Sequence, residues 1–250
     1  MKKVVITGAA NGIGRATAVA CAQAGFYVIA ADKDRFGLQA LQSSLPSHRL
    51  ETHLADFSQA SVYKTFIGNL YDVHKHRTLH ALVNNAGLYH GKSVYEYSDE
   101  EIEEIWTVNL KSLIYLSKDF AGREHKSEAL HESGRPLRSI VNLTSVAGEV
   151  GSMDALYGAT KAGVIGLTKA NAWNFAPQVR VNAVSPGLVR ETSIYGRIPE
   201  YRSKEYARQE CLNEPITPEG VADVIMFLLS DHSRHLTGKV IAVDNGTYPR

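Results

Sequence analysis

Tyr157 and Lys161 stand four residues apart in the run Ala155-Leu156-Tyr157-Gly158-Ala159-Thr160-Lys161. On a helix, side chains at that spacing project from one face. A free phenol has a pKa near ~10 and gives or takes a proton poorly at neutral pH. An ammonium beside it favours the phenolate and is expected to bring that value down, making the pair a general acid or base. Alone, the spacing is common on protein surfaces. It gains meaning from Ser145, twelve positions before Tyr157, whose hydroxyl is placed to polarise a substrate carbonyl.

A second group lies at the N-terminus. Val4-Val5-Ile6 runs directly into Thr7-Gly8-Ala9-Ala10-Asn11-Gly12-Ile13-Gly14. Glycines between a strand and a helix let the backbone approach a pyrophosphate, and the helix start offers unpaired N–H groups and a positive dipole end. Their position as the first turn of an alternating chain makes this signal specific. Asp32 ends the next apolar run, eighteen positions after Gly14. A carboxylate there accepts hydrogen bonds from both adenine-ribose hydroxyls and repels a 2′-phosphate. With uncharged Asn11 in the turn, Asp32 favours NAD over NADP, although Lys33 and Arg35 are close by.

These groups must be carried by elements, and the pattern supplies them. Strands are predicted over Val4–Thr7, Phe26–Ala31, Leu50–Leu54, Leu79–Val83, Ser139–Thr144, Val179–Val184 and Val240–Val243. Between them fall helical stretches over Ile13–Ala24, closed by Gly25, then Phe36–Ser43 and Ser58–Tyr71. A long helix from the capping box at Ser98 and Glu101 through Trp106 to Phe120 follows, then Ala155–Phe175 and Val221–Leu229 behind Thr217-Pro218. Alternation of this kind implies right-handed βαβ units, a parallel sheet and helices on both faces. No composition shift divides the chain, so residues 1–250 read as one domain. Residues 190–212, rich in charge and tyrosine, are expected to form a mobile cover over the ligand crevice.

Composition excludes several classes. A net charge of +1 supplies no field for nucleic acid or anionic membrane. No apolar run is long enough to span a bilayer, and the short one after Met1 does not read as a signal peptide. Cys21 and Cys211 make no disulfide framework and fit a reducing, cytoplasmic setting. His74, His76 and His80 cluster, but without the spacing of a metal site, and no metal is expected.

Taken together, Thr7 to Gly14, Asp56, Asn84-Asn85-Ala86-Gly87, Asn109, Ser145, Tyr157 with Lys161, Pro186-Gly187 and Val243-Asp244 resemble the short-chain dehydrogenase/reductase family along nearly the whole chain. The resemblance implies a single-domain Rossmann-type α/β/α sandwich with a seven-stranded parallel sheet in the order 3-2-1-4-5-6-7. It also implies a nicotinamide cofactor and a homotetramer or homodimer. By the same resemblance Tyr157 is the acid/base, Ser145 polarises the carbonyl, and Lys161 both tunes Tyr157 and binds the nicotinamide ribose. Asn109 would hold a water that relays protons from Lys161. Asp56 and Phe57 would face adenine. Asn84, Ala86 and Gly87 would support the cofactor behind the fourth strand, and Pro186, Gly187 and Val189 would flank the nicotinamide. Gly8, Asn11, Gly12, Ile13 and Gly14 complete the expected cofactor set.

Three departures qualify the resemblance. Thr192 falls five positions after Gly187, one more than the family pattern, leaving its contact with the cofactor open. The closing Asp-Gly-Gly is Asp244-Asn245-Gly246, and asparagine tolerates the same left-handed backbone. The stretch Ala121–Arg138 is long and polar, where family members associate. The leading reading is hydride exchange between NAD and a small secondary alcohol or ketone. The alternatives are a reductase of acyl groups on an acidic carrier, docked by Arg190, Arg197, Arg202 and Lys204, or a dinucleotide-binding regulator without chemistry. Tyr89, His90, Ser152, Met153, Asp154 and Tyr195 are expected to border the substrate pocket.

Overall fold

The computed structural model describes residues 1–74, 79–122 and 138–248. Seven parallel strands form one sheet, β1 (Lys3–Thr7), β2 (Tyr27–Asp32), β3 (Leu50–Leu54), β4 (Ala81–Asn84), β5 (Arg138–Leu143), β6 (Val179–Pro186) and β7 (Val240–Val243). Their order is β3-β2-β1-β4-β5-β6-β7, as the resemblance implies. β1 pairs with β2 on one side and β4 on the other, so that Thr7 lies level with both Ala31 and Asn84. The chain winds outward to β3 and then returns to the far side of β1. That reversal opens a crevice beyond the carboxyl ends of β1 and β4.

The central strands β4, β5 and β6 are buried along their whole length because helices cover both faces. Alternate residues of β1 divide between the layers. Val4 and Ile6 pack on one side with Ala18 and Cys21 of α1 (Gly12–Gln23), Leu38 and Leu41 of α2 (Arg35–Ser44), and Ile225 further along the chain. Val5 packs on the other with Tyr63 of α3 (Ala60–Tyr63) and Phe66, Ile67 and Leu70 of α4 (Phe66–Val73).

The expected helix Ser58–Tyr71 is therefore two helices, and Gln59, not Ser58, precedes the first of them. At the break, the Thr65 hydroxyl donates to the Ser61 carbonyl at 2.7 Å, a back-bond that bends helices. The bend lets Tyr63, Phe66 and Ile67 all reach the core. The expected long helix is also interrupted. α5 (Asp99–Trp106) starts at the capping box of Ser98 and Glu101, then a π-helical turn spans Thr107–Lys111 before α6 (Ser112–Gly122). The polar stretch after it lies, over 123–137, outside the described residues.

Beyond β5 come α7 (Ala147–Val150) and the 20-residue α8 (Ala155–Asn174). After β6, α9 (Glu200–Gln209) and α10 (Pro218–Leu229) follow, the latter capped by the Thr217 hydroxyl on the Gly220 N–H. His74 and His80 serve the sheet: His74 Nε2 lies 3.2 Å from Glu51, and His80 Nδ1 accepts the Lys3 N–H. His76 lies outside the described residues.

Candidate active site

The first turn of α1 is built for an anion. Gly8 has φ +66°, and a Cβ there would come within 2.8 Å of the Asn85 amide. A Cβ on Gly14 would lie 2.0 Å from the Gly8 carbonyl oxygen, so only glycine lets the helix start against the turn. Asn11 precedes the helix but does not cap it; its amide donates to Asp34 Oδ2 at 2.8 Å. The first-turn N–H groups thus lack a side-chain acceptor, which suits a pyrophosphate. Asn85 fixes this turn to β4, donating from Nδ2 to the carbonyls of Thr7 (3.1 Å) and Gly8 (2.8 Å). The Thr7 hydroxyl in turn accepts the N–H groups of Asn85 and Ala86, each at 3.1 Å.

At the end of β2 the Asp32 carboxylate is held by two backbone donors at 2.9 Å, Ala10 N–H on Oδ2 and Asp34 N–H on Oδ1. Each oxygen keeps accepting capacity toward the crevice. Asp34 caps α2, and the hydrogen bonds from Gly37 and Asn11 hold its carboxyl below the usual range. This end of the site carries Asp32, Asp34 and Asp56, with Lys33 as a counter-charge.

Ser145 follows β5, and Tyr157 and Lys161 occupy the first two turns of α8. Asp154 sets that helix. Its buried carboxylate accepts the Tyr157 N–H at 3.0 Å, the Tyr97 hydroxyl at 2.7 Å and the Gly91 N–H at 2.9 Å. Lys161 Nζ reaches the Leu143 carbonyl at 2.8 Å and lies 5.6 Å from the centre of the Tyr157 ring. Tyr89 packs edge-on against that ring, with centroids 5.1 Å apart.

Burial pushes the Tyr157 phenol up to about 12, against the downward pull of its hydrogen bond with Ser145. Burial also brings the Lys161 ammonium down to about 8. The expectation that Lys161 holds the phenol below its ordinary value is corrected here. The ammonium is turned to the Leu143 carbonyl, and desolvation of the phenolate dominates. A phenol held protonated suits the proton-donating direction.

One cavity of about 890 Å³ joins the two ends. Gly8, Asn11, Gly12, Ile13, Asp32, Asp56, Phe57, Ala86, Gly87, Ser145, Tyr157, Lys161, Pro186, Gly187 and Val189 all line it. Three expected residues do not. Gly14 lies behind the turn. Asn84 is buried in the sheet, its amide donating to Ser117 Oγ (3.1 Å) and Asn142 Oδ1 (2.9 Å). Strand alternation turns it away from the cavity and brings its neighbour Asn85 to the lining instead. Asn109, in the π turn, sits one layer back and binds Leu88 through both its N–H and carbonyl, and Thr160 through Nδ2. A Cβ on Gly87 would lie 3.4 Å from Lys161 Nζ and 3.6 Å from Asn109 Oδ1, so glycine leaves open the space between them.

Of the expected pocket residues, Tyr89, Ser152 and Met153 line the cavity, whereas His90, Asp154 and Tyr195 do not. Arg197 and Arg202 line it; Arg190 and Lys204 do not, and Lys204 pairs with Glu200 at 2.7 Å. Thr192 does reach the glycine turn, its methyl 3.2 Å from a Cβ on Gly12. The extra residue is absorbed at Glu191, which takes a left-handed backbone with φ 58°. Sequence reasoning missed Asn85, Asp34 and Tyr206 as lining residues. The Asn-Asn pair was a signal for the first, since only one of two successive strand-end side chains faces the crevice.

A family model described as Enoyl-(Acyl carrier protein) reductase matches residues 8–248. The 3-oxoacyl-[acyl-carrier-protein] reductase of Thermotoga maritima is 35% identical over 250 residues, covering 98% of this chain and 97% of the relative. Among solved structures, a short-chain dehydrogenase/reductase of glucose/ribitol dehydrogenase type from Brucella melitensis superposes with a TM-score of 0.88 at 33% identity, covering 100% and 97% of the two chains. A 4-hydroxyisoleucine dehydrogenase complexed with NADH gives 0.87 at 28% identity, covering 99% of each. The chain belongs to the short-chain dehydrogenase/reductase family and is an oxidoreductase that interconverts alcohol and keto groups with a nicotinamide cofactor.

Proposed function

We propose that the protein exchanges hydride between NAD and a small secondary alcohol or ketone, with Tyr157 passing the proton. The observation that carries this reading is that Ser145, Tyr157 and Lys161 share one cavity with the glycine turn and Asp32. Gly8, Gly12 and the start of α1 would hold the pyrophosphate, Asp32 the adenine ribose, and Asp56 and Phe57 the adenine. Lys161 would hold the nicotinamide ribose, with Pro186, Gly187, Val189 and Thr192 beside the ring. The bound cofactor supplies or accepts the hydride.

In reduction, Ser145 Oγ hydrogen-bonds the substrate carbonyl and Tyr157 Oη gives that oxygen its proton. Lys161 stabilises the phenolate left behind. Gly87 keeps clear the space between Lys161 Nζ and Asn109 Oδ1, so that a water there passes the proton outward. In oxidation the same path runs in reverse. Asn84 and Gly14 serve this site by packing: Asn84 joins β4 to β5, and Gly14 seats α1 on the turn.

Asp32 and Asp34 together support NAD over NADP, because two carboxylates at the ribose repel a 2′-phosphate. Residues 190–212 support the role of a cover, since Thr192, Arg197, Arg202 and Tyr206 reach the cavity from them. Exposed Trp173 on α8 and Ile114 on α6 support self-association as a tetramer or dimer. The two free thiols support a reducing cytoplasm.

The test is a panel of polyols, hydroxyacids, simple secondary alcohols and 3-oxoacyl thioesters, run with NAD and NADP and followed by nicotinamide absorbance. Turnover with NAD at least tenfold more efficient than with NADP is expected, about 1.4 kcal/mol of discrimination. Clear NADP preference contradicts the role given to Asp32. Turnover of carrier-bound thioesters alone, with strong salt sensitivity, favours the acyl reductase named for the Thermotoga relative.

A further inference from the structure

The catalytic half of the cavity is lined by two guanidinium groups that the chemistry above leaves unused. Arg197 Nη1 donates to the Tyr89 carbonyl at 2.7 Å. That bond ties the guanidinium to the residue whose ring packs on Tyr157, at the reacting end. Arg202, on α9, lies over the Tyr201 ring at 5.8 Å and donates from Nε to the Tyr201 hydroxyl at 3.2 Å. Its charge is close enough to Tyr89 to pull that phenol downward, against the larger upward effect of burial. Tyr206 brings a hydroxyl to the same wall, where a Cβ on Gly187 would approach it within 2.3 Å.

Among the described residues, neither guanidinium has a carboxylate at ion-pair distance. The ion pair within α9 is Lys204 with Glu200, and Glu205, although it lines the cavity, is not within 4.0 Å of either arginine. Arg197 has committed one of its donors, and the rest of its planar fork is available. Charge is unevenly divided along the cavity: Asp32, Asp34 and Asp56 outnumber Lys33 at the ribose end, whereas Lys161, Arg197 and Arg202 line the reacting end, with Glu205 on the same helix as Arg202. A fork of this kind, held by a backbone carbonyl on one residue and an aromatic neighbour on the other, matches a carboxylate.

We propose that the substrate is a hydroxy or keto acid whose free carboxylate is held by Arg197 and Arg202 while its alcohol or keto carbon faces Ser145 and Tyr157. This rests on the oxidoreductase reading and narrows it to a substrate class. Both residues act on binding and orientation, not on the proton transfer.

The experiment compares 2-hydroxypropanoate, 3-hydroxybutanoate and 4-hydroxypentanoate with their methyl esters, and 3-oxobutanoate with its thioester. NADH affinity is read separately from the change in its fluorescence. The best acid is expected to exceed its ester in kcat/KM by about 10- to 100-fold, the worth of a charge-assisted hydrogen-bonded contact. Arg202→Met and Arg197→Met should each collapse that ratio toward one through a raised KM for the acid, with Arg202→Lys keeping part of it. An ester or thioester used as well as the acid overturns the proposal and leaves the oxidoreductase reading standing. So does a loss of NADH affinity in the variants as large as the loss for the acid, which would assign the arginines to the cofactor. Where NADH binds and nothing in the panel turns over, acid binding to the NADH complex is read by thermal shift. Stabilisation by the acids and not by the esters keeps the carboxylate site while the chemistry fails; equal shifts, or none, reject it.

Discussion

Burial shifts a phenol and an ammonium in opposite directions, each toward its neutral form, and this governs how Tyr157 and Lys161 work. Lys161, brought down to about 8 by burial, loses its charge as pH rises through that value. If the ammonium is needed beside Tyr157, kcat/KM for reduction should fall on the alkaline side with an apparent pKa near 8. A profile flat from pH 7 to 10 would contradict the role of Lys161. The same shifts act on stability. Between about 8 and the usual 10.5 the unfolded chain holds a proton that the folded chain has released, so Lys161 makes the fold gain stability as pH rises. Tyr157, pushed up from 10.0 to about 12, keeps its proton longer in the folded chain and loses stability above pH 10. Spacing was enough to pair these residues from sequence. The direction of the phenol's shift was not legible, because it depends on burial and on the Leu143 carbonyl that takes Lys161 Nζ. Asn84 was misplaced for a similar reason: which of two adjacent asparagines faces the cavity depends on the phase of β4.

At the scale of elements, α8 depends on one buried carboxylate. Asp154 caps the helix at the Tyr157 N–H and also gathers Tyr97 and Gly91, so the cap positions the catalytic residue as well as starting the helix. Asp154→Ala is expected to cost about 1–3 kcal/mol, since it removes a cap and leaves a phenol and an amide unsatisfied. Thermal denaturation should show a Tm lower by about 2–12 °C. Kinetics should show a fall in kcat beyond what the lost folded fraction explains; a variant with wild-type Tm and kcat would show the cap to be dispensable. Strong caps such as Ser98 with Glu101 and Thr217 with Pro218 were legible because their chemistry is local. The break at Thr65 and the π turn at Asn109 were not, since both answer to tertiary demands. The first bends to bury Tyr63 and Phe66 together, and the second brings a polar side chain to Leu88 and Thr160. The trace of the second in sequence was an asparagine inside an otherwise apolar helical face.

The whole molecule places its chemistry where five strands end. Thr7, Asp32, Asn84, Leu143 and Pro186 close β1, β2, β4, β5 and β6 at one edge of the sheet, and the cavity is built on the residues that follow or flank them. Alternation of strands and helices made the layers legible, and the family resemblance supplied the strand order. What neither supplied was the local adjustment, such as the left-handed Glu191 that returns Thr192 to the glycine turn. A ligand spanning so many strand ends should stabilise the entire fold. NADH at a hundred times its Kd is expected to add about 2.7 kcal/mol. For a chain of this length that raises Tm by about 5–11 °C, and NADPH at the same concentration should give less. Equal shifts with the two would remove Asp32 from the specificity argument.

The central claim is that one cavity binds the cofactor at the glycine turn and passes the proton through Tyr157. Tyr157→Phe removes the hydroxyl and keeps the ring that packs on Tyr89. Turnover is expected to fall by at least about 100-fold, the ordinary contribution of a positioned acid or base. NADH binding, read from its fluorescence, should stay within about twofold, or ~0.4 kcal/mol. Wild-type turnover by the variant would contradict the account.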